Sequence, residues 1–361
     1  MPKIVVFGAT GYTGRLTAEA LIAQGDSPVL AGRDAAALAT LAAELGGAAT
    51  AVADVADPAA VTALLERGDV LVTTVGPFLR YGGPALAAAL AAGAHYLDST
   101  GEGPFVRTVF DHDEQARAAG VALLTAFGFD YVPGNLAAGL ALRDAPSAVR
   151  VDVGYFMDGP VTSGGTRASV AGMLFERAFA LRDGKVVTEP AAAHLRDFDV
   201  AGKPRTAVSI PGSEHFALPR THPNLRSIDV FLGLPPVAAH GLRIGSRLAA
   251  TAARLPPLKH GLESALARIV KGSTGGPDAR TRARTRGWAV AEAYDASDHL
   301  LASVTLTGGD PYEFTARLLA WAAHAALNGG LLTTGALGSV EAFGLDALHA
   351  AFAEAGWTRT S

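Results

Sequence analysis

The chain contains no cysteine. That excludes a disulfide framework, a thiolate nucleophile, an iron–sulfur cluster and a cysteine zinc site. Charge is also sparse: 18% of the 361 residues are Asp, Glu, Lys or Arg, against roughly 25% in ordinary soluble domains. Thirty basic and 34 acidic residues leave a net charge of -4, which gives no general attraction to a nucleic-acid backbone or an anionic membrane. A small-molecule partner and no nucleic acid are the expectation. Long apolar runs are missing too. Ile4 to Phe7 give way at once to glycines and threonines, unlike a signal peptide. The most lipid-like stretch, Val230 to Leu258, is interrupted by His240, Arg243, Arg247, Arg254 and prolines, short of the ~20 clean apolar residues a span needs. No transmembrane span and a cytoplasmic location are therefore expected. There is no G-x-S-x-G elbow to support an α/β-hydrolase, and no internal repeat.

What is present is ample core material: 49% hydrophobic residues, punctuated by 42 glycines and 20 prolines. Disorder is excluded, and the length suggests two domains. Through the first 130 residues, short β-branched runs alternate with helical stretches. Strands are expected at Ile4 to Gly8, Pro28 to Ala31, Ala48 to Ala53, Val70 to Val75, His95 to Leu97 and Val121 to Thr125. Between them the spacing predicts helices at Gly14 to Gln24, from Asp34, from Asp57-Pro58 to near Gly68, at Pro84 to Ala92 and at Pro104 to Ala119. Asp34 and Asp57 are the expected N-caps. Uniformly apolar strands in a βαβα order predict an α/β fold, a Rossmann-type doubly wound parallel sheet.

After this domain, residues 1–130, the pattern changes. Val149 to Met157 alternates as a half-buried strand, Arg167 to Leu181 reads as a helix, and Gly287 to Thr307 reads as a hairpin turning at Asp295 to Asp298. Residues 131–310 are expected to form an α+β substrate and dimerisation domain on a mainly antiparallel sheet. Residues 311–361, with helices at Pro311 to Leu327 and Leu345 to Ala355, are expected to pack back on the first domain.

Directly after the first strand stands Gly8-Ala9-Thr10-Gly11-Tyr12-Thr13-Gly14, a glycine-rich turn opening a helix. Glycines let backbone amides approach a pyrophosphate, and the helix N-terminus offers N–H groups and positive dipole to it. A tight strand-to-helix connection is the plain alternative. At the end of the second strand stands Ala31-Gly32-Arg33-Asp34. The Arg33 fork suits a ribose 2′-phosphate and Gly32 leaves room for it, so NADP(H) is expected over NAD. A solvated Arg33, with Asp34 holding the ribose, is the alternative. Asp54, ending the third strand, is placed to face the adenine or to cap a turn.

Together with Gly76-Pro77-Phe78 and Tyr81-Gly82, His95-Tyr96-Leu97-Asp98-Ser99-Thr100-Gly101-Glu102, and Gly128-Phe129-Asp130 with Pro133, these motifs resemble the saccharopine dehydrogenase-like oxidoreductases. The likeness is dense over residues 1 to 140, with a weaker echo in Pro311 to Gly338. It leans toward the branch holding trans-acting enoyl reductases. Asn135 stands where that family's pattern suggests an aspartate. The resemblance implies that Val75, Gly76, Pro77 and Phe78 face the nicotinamide half, and sheet topology separately puts a ligand crevice at the carboxyl ends of the strands. Tyr81, Asp98, Glu102 and Asp130 follow strand ends there and are the candidate proton-moving groups; each has a structural alternative as turn former, solvated acid or packed ring.

The expected activity is hydride transfer between nicotinamide and a C=C (enoyl-type) or C=N substrate held between the domains, with imine reduction of a saccharopine-like amino acid or non-enzymatic NADPH sensing as alternatives. Arg167, after Gly164-Gly165-Thr166, is the candidate for a substrate carboxylate. No metal is expected: Asp111-His112-Asp113-Glu114 point to different helix faces. Arg280, Arg282, Arg284 and Arg286 alternate as on a strand, where one cationic face would meet a phosphate-bearing carrier or water. Val230 to Leu258 would cover a lipophilic substrate, touch a membrane surface peripherally, or form a homodimer contact.

Overall fold

The structure, a computed structural model, describes residues 1–159, 177–252 and 275–361. They divide into two compact units. The first comprises Met1–Gly101, Phe105–Val132 and Asp310–Gly356; the second comprises Glu102–Pro104, Pro133–Gly309 and Trp357–Ser361.

The first unit is a parallel sheet of β1 (Ile4–Phe7), β2 (Val29–Gly32), β3 (Thr50–Val52), β4 (Val70–Thr73), β5 (His95–Asp98), β6 (Ala122–Leu124) and β15 (Gly335–Ala336). Their order is β15-β6-β5-β4-β1-β2-β3. β1 and β4 are buried along their whole length, as strands covered on both faces by helices must be. The reversal of order beside β1 is the switch point of a doubly wound sheet, where ligands bind at the carboxyl ends. Strand β15 is a late addition: residues beyond 310 supply a seventh strand that pairs Gly335 with Ala122.

Local chemistry sets the helix starts. Asp34 Oδ1 accepts from Ala36 and Ala37 amides, both at 3.0 Å, opening α2 (Ala35–Glu44), which follows α1 (Tyr12–Ala23). Asp57 does the same for α3 (Pro58–Thr62), although that helix stops well short of Gly68. Helix α4 (Phe78–Ala92) begins six residues before the expected Pro84, which lies inside it; the chain turns helical directly out of the loop after β4. The stretch expected as one helix at 104–119 is two, α5 (Gly103–Phe110) and α6 (Asp113–Ala119). Helix α7 (Val132–Asp144) leads out of the unit.

The second unit is built on a nine-stranded, mainly antiparallel sheet: β7 (Arg150–Asp158), β8 (Arg177–Arg182), β9 (Lys185–Pro190), β10 (Leu195–Val200), β11 (Lys203–Ile210), β12 (Ser227–Gly233), β13 (Arg286–Tyr294), β14 (Leu300–Gly308) and β16 (Trp357–Arg359). Among its described strands, β7 and β12 are the pair that runs parallel. Its core gathers Phe156, Phe198, Val200, Ala207, Phe231 and Val290. Gly233 is required there, because a Cβ on it would stand 2.3 Å from the Phe156 ring. The expected hairpin is β13–β14, closed by Asp295, whose Oδ1 accepts from the Ser297 and His299 amides.

Two expectations are corrected here. Residues 177–181 of the expected helix belong to strand β8, paired with β9 from Arg177↔Pro190 to Arg182↔Lys185; the remainder of that stretch lies outside the described residues. The arginine alternation is not a strand face either. Asp278 accepts from the Thr281 amide at 2.7 Å and starts α10 (Ala279–Arg282), so only Arg286 reaches a strand. The second unit also contains α8 (Glu214–Thr221) and α9 (Pro236–Ala252). The described part of Val230 to Leu258 is the end of β12 and α9, on which Val237 and Ile244 are exposed. Among the described residues no helix is long and apolar enough to cross a membrane.

Returning to the first unit, α11 (Pro311–Leu327) is capped by Asp310, whose Oδ2 accepts from the Glu313 amide at 2.9 Å. It packs along α1. Tyr312 meets Tyr12 edge-on with ring centroids 5.2 Å apart, and Gln24 Nε2 donates to the Ala320 carbonyl. Helices α12 (Ser339–Phe343) and α13 (Leu345–Glu354) complete the unit.

Candidate active site

The glycine-rich turn closes on itself. Gly11 N donates to the Gly8 carbonyl at 2.9 Å, and the Gly8 and Ala9 amides both donate to the Ala31 carbonyl. Gly8 sits at φ +91°, in the left-handed region. Gly14 has no room for a side chain: a Cβ would lie 2.2 Å from Gly8 O. Gly11 differs, since its Cβ would meet only that carbonyl, at 3.1 Å. It is exposed and is the N-cap of α1, so no capping side chain competes for the first-turn amides. A β-branched group here would fill the cradle, and the residues present fit a pyrophosphate.

At the neighbouring strand end, Arg33 is exposed and makes no ion pair with a described residue. Asp34 is committed to its capping amides. Gly32 is buried, and a Cβ on it would make only ordinary contacts with Leu38 and Thr10, each nearly 4 Å away. Asp54 is exposed and holds a turn by accepting from the Ala56 amide. After β4, the loop of Val75, Gly76 and Pro77 has a cis Gly76–Pro77 bond and ends in Phe78, which starts α4 without a side-chain cap. Phe78 stacks near Phe105, centroids 5.7 Å apart.

Of the candidate acids, Asp98 is fully buried at the end of β5. Its Oδ1 accepts from the Thr100 and Ala126 amides, each at 2.9 Å, and its carbonyl accepts from Phe127 N at 2.8 Å. Burial pushes this carboxyl up to about 6 against the pull of those amides. The Tyr96 and Thr125 hydroxyls stand beside it outside hydrogen-bond geometry, and burial raises Tyr96 well above its ordinary value. Asp98 thus ties the loop after β5 to the loop after β6.

Asp130 lies on that second loop. It is half-buried by surface, yet its surroundings are dense enough that burial pushes its carboxyl up to about 6. It accepts no hydrogen bond from a described residue. A Cβ on Gly101 would lie 3.0 Å from Asp130 Oδ2, so the carboxylate rests on the Gly101 backbone, and Tyr131 Oη donates to Gly101 O at 3.0 Å. Gly101 and Asp130 are thereby brought together. Tyr81 is half-buried on α4 with the Arg80 guanidinium over its ring. Glu102 is buried in the second unit. Arg167 lies outside the described residues. Asn135 Nδ2 donates to Ser213 Oγ at 2.9 Å within the second unit.

Sequence reading missed Thr315, whose Oγ1 accepts from the Phe129 amide at 3.0 Å. The only available signal was the motif echo after Pro311. In the second unit, Glu189, His194 and Asp229 converge closely enough for a cation. Arg182 already grips this cluster, pairing bidentately with Asp229 at 2.7 and 2.9 Å and with Glu189 at 3.1 Å, which makes it an ion-pair network. Asp113, of the acidic run near His112, pairs with Arg117 and accepts from the Ala336 amide.

Residues 4–124 match the family described as saccharopine dehydrogenase NADP binding domain. A trans-acting enoyl reductase of Mycobacterium leprae is 43% identical over 140 residues, covering 37% of this chain and 34% of that protein. Its counterpart in Mycobacterium bovis is 41% identical over 140 residues with the same coverage. The matched stretch thus spans about a third of these relatives. Apo saccharopine dehydrogenase (L-Glu forming) from Saccharomyces cerevisiae shares the fold over 100% of both chains, with a TM-score of 0.63 at 14% identity.

Proposed function

We propose that this chain, which carries an NADP-binding domain of the saccharopine dehydrogenase type at residues 4–124, is an NADP(H)-dependent oxidoreductase acting on a C=C bond of the enoyl type. Likeness to enoyl reductases at 43% identity favours C=C over C=N. When bound, the cofactor supplies or accepts the hydride, and the chemistry of that transfer is its own. The chain's residues do the rest. Gly8, Ala9, Thr10, Gly11, Tyr12, Thr13 and Gly14 would hold the pyrophosphate through backbone amides, Gly32 and Arg33 the 2′-phosphate, Asp54 the adenine side, and Val75, Gly76, Pro77 and Phe78 the nicotinamide half.

Asp130 is the group proposed to hold the proton. The observation that carries this is its contrast with Asp98: both carboxyls are pushed to about 6 by burial, but Asp98 is committed to two amides while Asp130 is not. A carboxylic acid titrating near neutrality is suited to giving up a proton at physiological pH. Tyr81 and Glu102 remain secondary candidates, and Arg167 is the proposed contact for a substrate carboxylate or carrier.

The test is NADPH consumption across a panel of enoyl thioesters and cyclic imines. Turnover of enoyl thioesters is expected, with NADPH preferred over NADH, and Asp130→Asn should slow it by about 10²-fold or more while leaving NADPH affinity intact. Stoichiometric NADPH binding without consumption across the panel would make the chain a sensor; turnover of imines alone would make it an imine reductase.

A further inference from the structure

The loop that carries Asp130 is held at both ends by its own unit. At its start, Ala126 is in the left-handed region at φ +54° with its amide on Asp98 Oδ1, and at its finish Tyr131 N returns to Ala126 O at 2.8 Å and Val132 N to Gly128 O at 3.0 Å. The middle of the loop, Gly128-Phe129, rests on a helix from nearly two hundred residues later. Phe129 N donates to Thr315 Oγ1 at 3.0 Å. Gly128 packs so closely that a Cβ would stand 2.6 Å from Thr315 Cγ2 and 2.9 Å from its Oγ1. Phe129 and Thr315 are both buried, so the hydroxyl serves an amide that water does not reach, and removing it takes that acceptor away.

Resting on the reading of Asp130 given above, we infer that Thr315 is a positioning residue for Asp130: its hydroxyl, delivered by α11, fixes the Gly128-Phe129 backbone so that the next residue's carboxylate lies against Gly101 in a shielded place. The methyl group and the hydroxyl of Thr315 have separate duties. The methyl sets how near Gly128 can come, and the hydroxyl sets the direction of the Phe129 amide. Valine keeps the first and loses the second, while serine does the reverse.

The experiment follows the side-chain carboxyl resonances of the full chain, labelled with ¹³C at aspartate, through a pH titration with and without NADP⁺, using Asp130→Asn to assign the resonance. Unmodified Asp130 should titrate near 6. In Thr315→Val the loop relaxes toward water, and the midpoint should fall by at least about one unit toward that of a solvated carboxylate. Thr315→Ser should restore it, and NADP⁺ affinity, read by calorimetry, should stay within about twofold in both, since the glycine turn is untouched. Should the valine variant not fold, Thr315→Cys, with a weaker acceptor at the same place, should give an intermediate midpoint. An Asp130 midpoint near 4 in the unmodified protein overturns the reading of Asp130. A midpoint near 6 in the unmodified, valine and cysteine proteins alike overturns the role of Thr315 and leaves Asp130 standing. Failure of serine to restore the midpoint lost in the valine variant overturns the role of the hydroxyl.

Discussion

Asp98→Asn isolates the energetic consequence of burying a carboxylate beneath the strand ends. In the folded protein this carboxyl sits at about 6 because it is fully buried, whereas unfolding returns it to about 3.9. A folded value above the unfolded one means that the folded state holds the proton more tightly. Stability from this group is therefore fully present below about pH 4 and is lost as pH rises toward 6. A shift of about two units corresponds to about 3 kcal/mol. Asparagine keeps a carbonyl oxygen for the Thr100 and Ala126 amides, which Asp98 Oδ1 now serves, and has no charge to desolvate. Denaturant unfolding of both proteins from pH 4 to 8 should show the variant gaining on the parent by about 2 kcal/mol between pH 4 and 6.5, then a nearly constant difference. The difference curve removes the titrations the two proteins share. Asp98→Ala should show the same rise with pH but start from a lower level, since two buried amides lose their acceptor at about 1–3 kcal/mol each. A flat difference curve for the asparagine variant would refute the assignment of the raised titration to Asp98.

Other expectations are brief. Gly14→Ala should destabilise the first unit by about 1–3 kcal/mol, because its Cβ meets backbone at 2.2 Å, whereas Gly11→Val should fold and fail to bind NADPH in calorimetry; a folded Gly11→Val with unchanged affinity would defeat the pyrophosphate reading. Arg33→Ala should weaken NADPH by about tenfold to a hundredfold and NADH hardly at all, with the gap shrinking in salt; equal weakening of both would return the ribose to Asp34. His215, buried and pushed down to about 4, is neutral when folded and contributes stability above about pH 6.5 that is lost as pH falls toward 4. His215→Gln should flatten that acid limb, and an unaltered limb would show that His215 does not cause it. The edge of β14 beyond Thr305 exposes Leu300 and Leu301, so the second unit should self-associate as a dimer in sedimentation; a monomer at all concentrations would contradict this.

Much of this was legible along the chain, for reasons that differ by element. Asp34 and Asp57 announce their helices because a cap acts within three residues, and the β13–β14 hairpin shows because Asp295 closes it locally. Strand β8 was read as helix because Ala178, Phe179, Ala180 and Leu181 suit either state, and only pairing with β9 decides. The arginine alternation misled in the opposite way: period two suggested a strand, but the Asp278 cap imposed a helical turn on Arg280 and Arg282. At the site, the glycine turn and Arg33 are contiguous signals. The Phe129–Thr315 bond is not, since its partners lie 186 residues apart and only the weak motif echo after Pro311 hints at it.

The first unit is completed by two stretches of chain with the second unit's residues between them. Made from its N-terminus, the protein emerges with β1 to β6 long before α11 and β15 exist. Until residues 310–356 leave the ribosome, β6 is an unpaired edge, the α1 surface beneath α11 is bare, and Phe129 has no acceptor at Thr315. At roughly 5–20 residues per second, that interval lasts about 10–40 seconds, longer than most small domains need to fold. The nascent cofactor unit is thus held unfinished, its apolar flank open to chaperones, and a ribosome stalled before residue 310 leaves a chain with the dinucleotide turn but without the helix that steadies it.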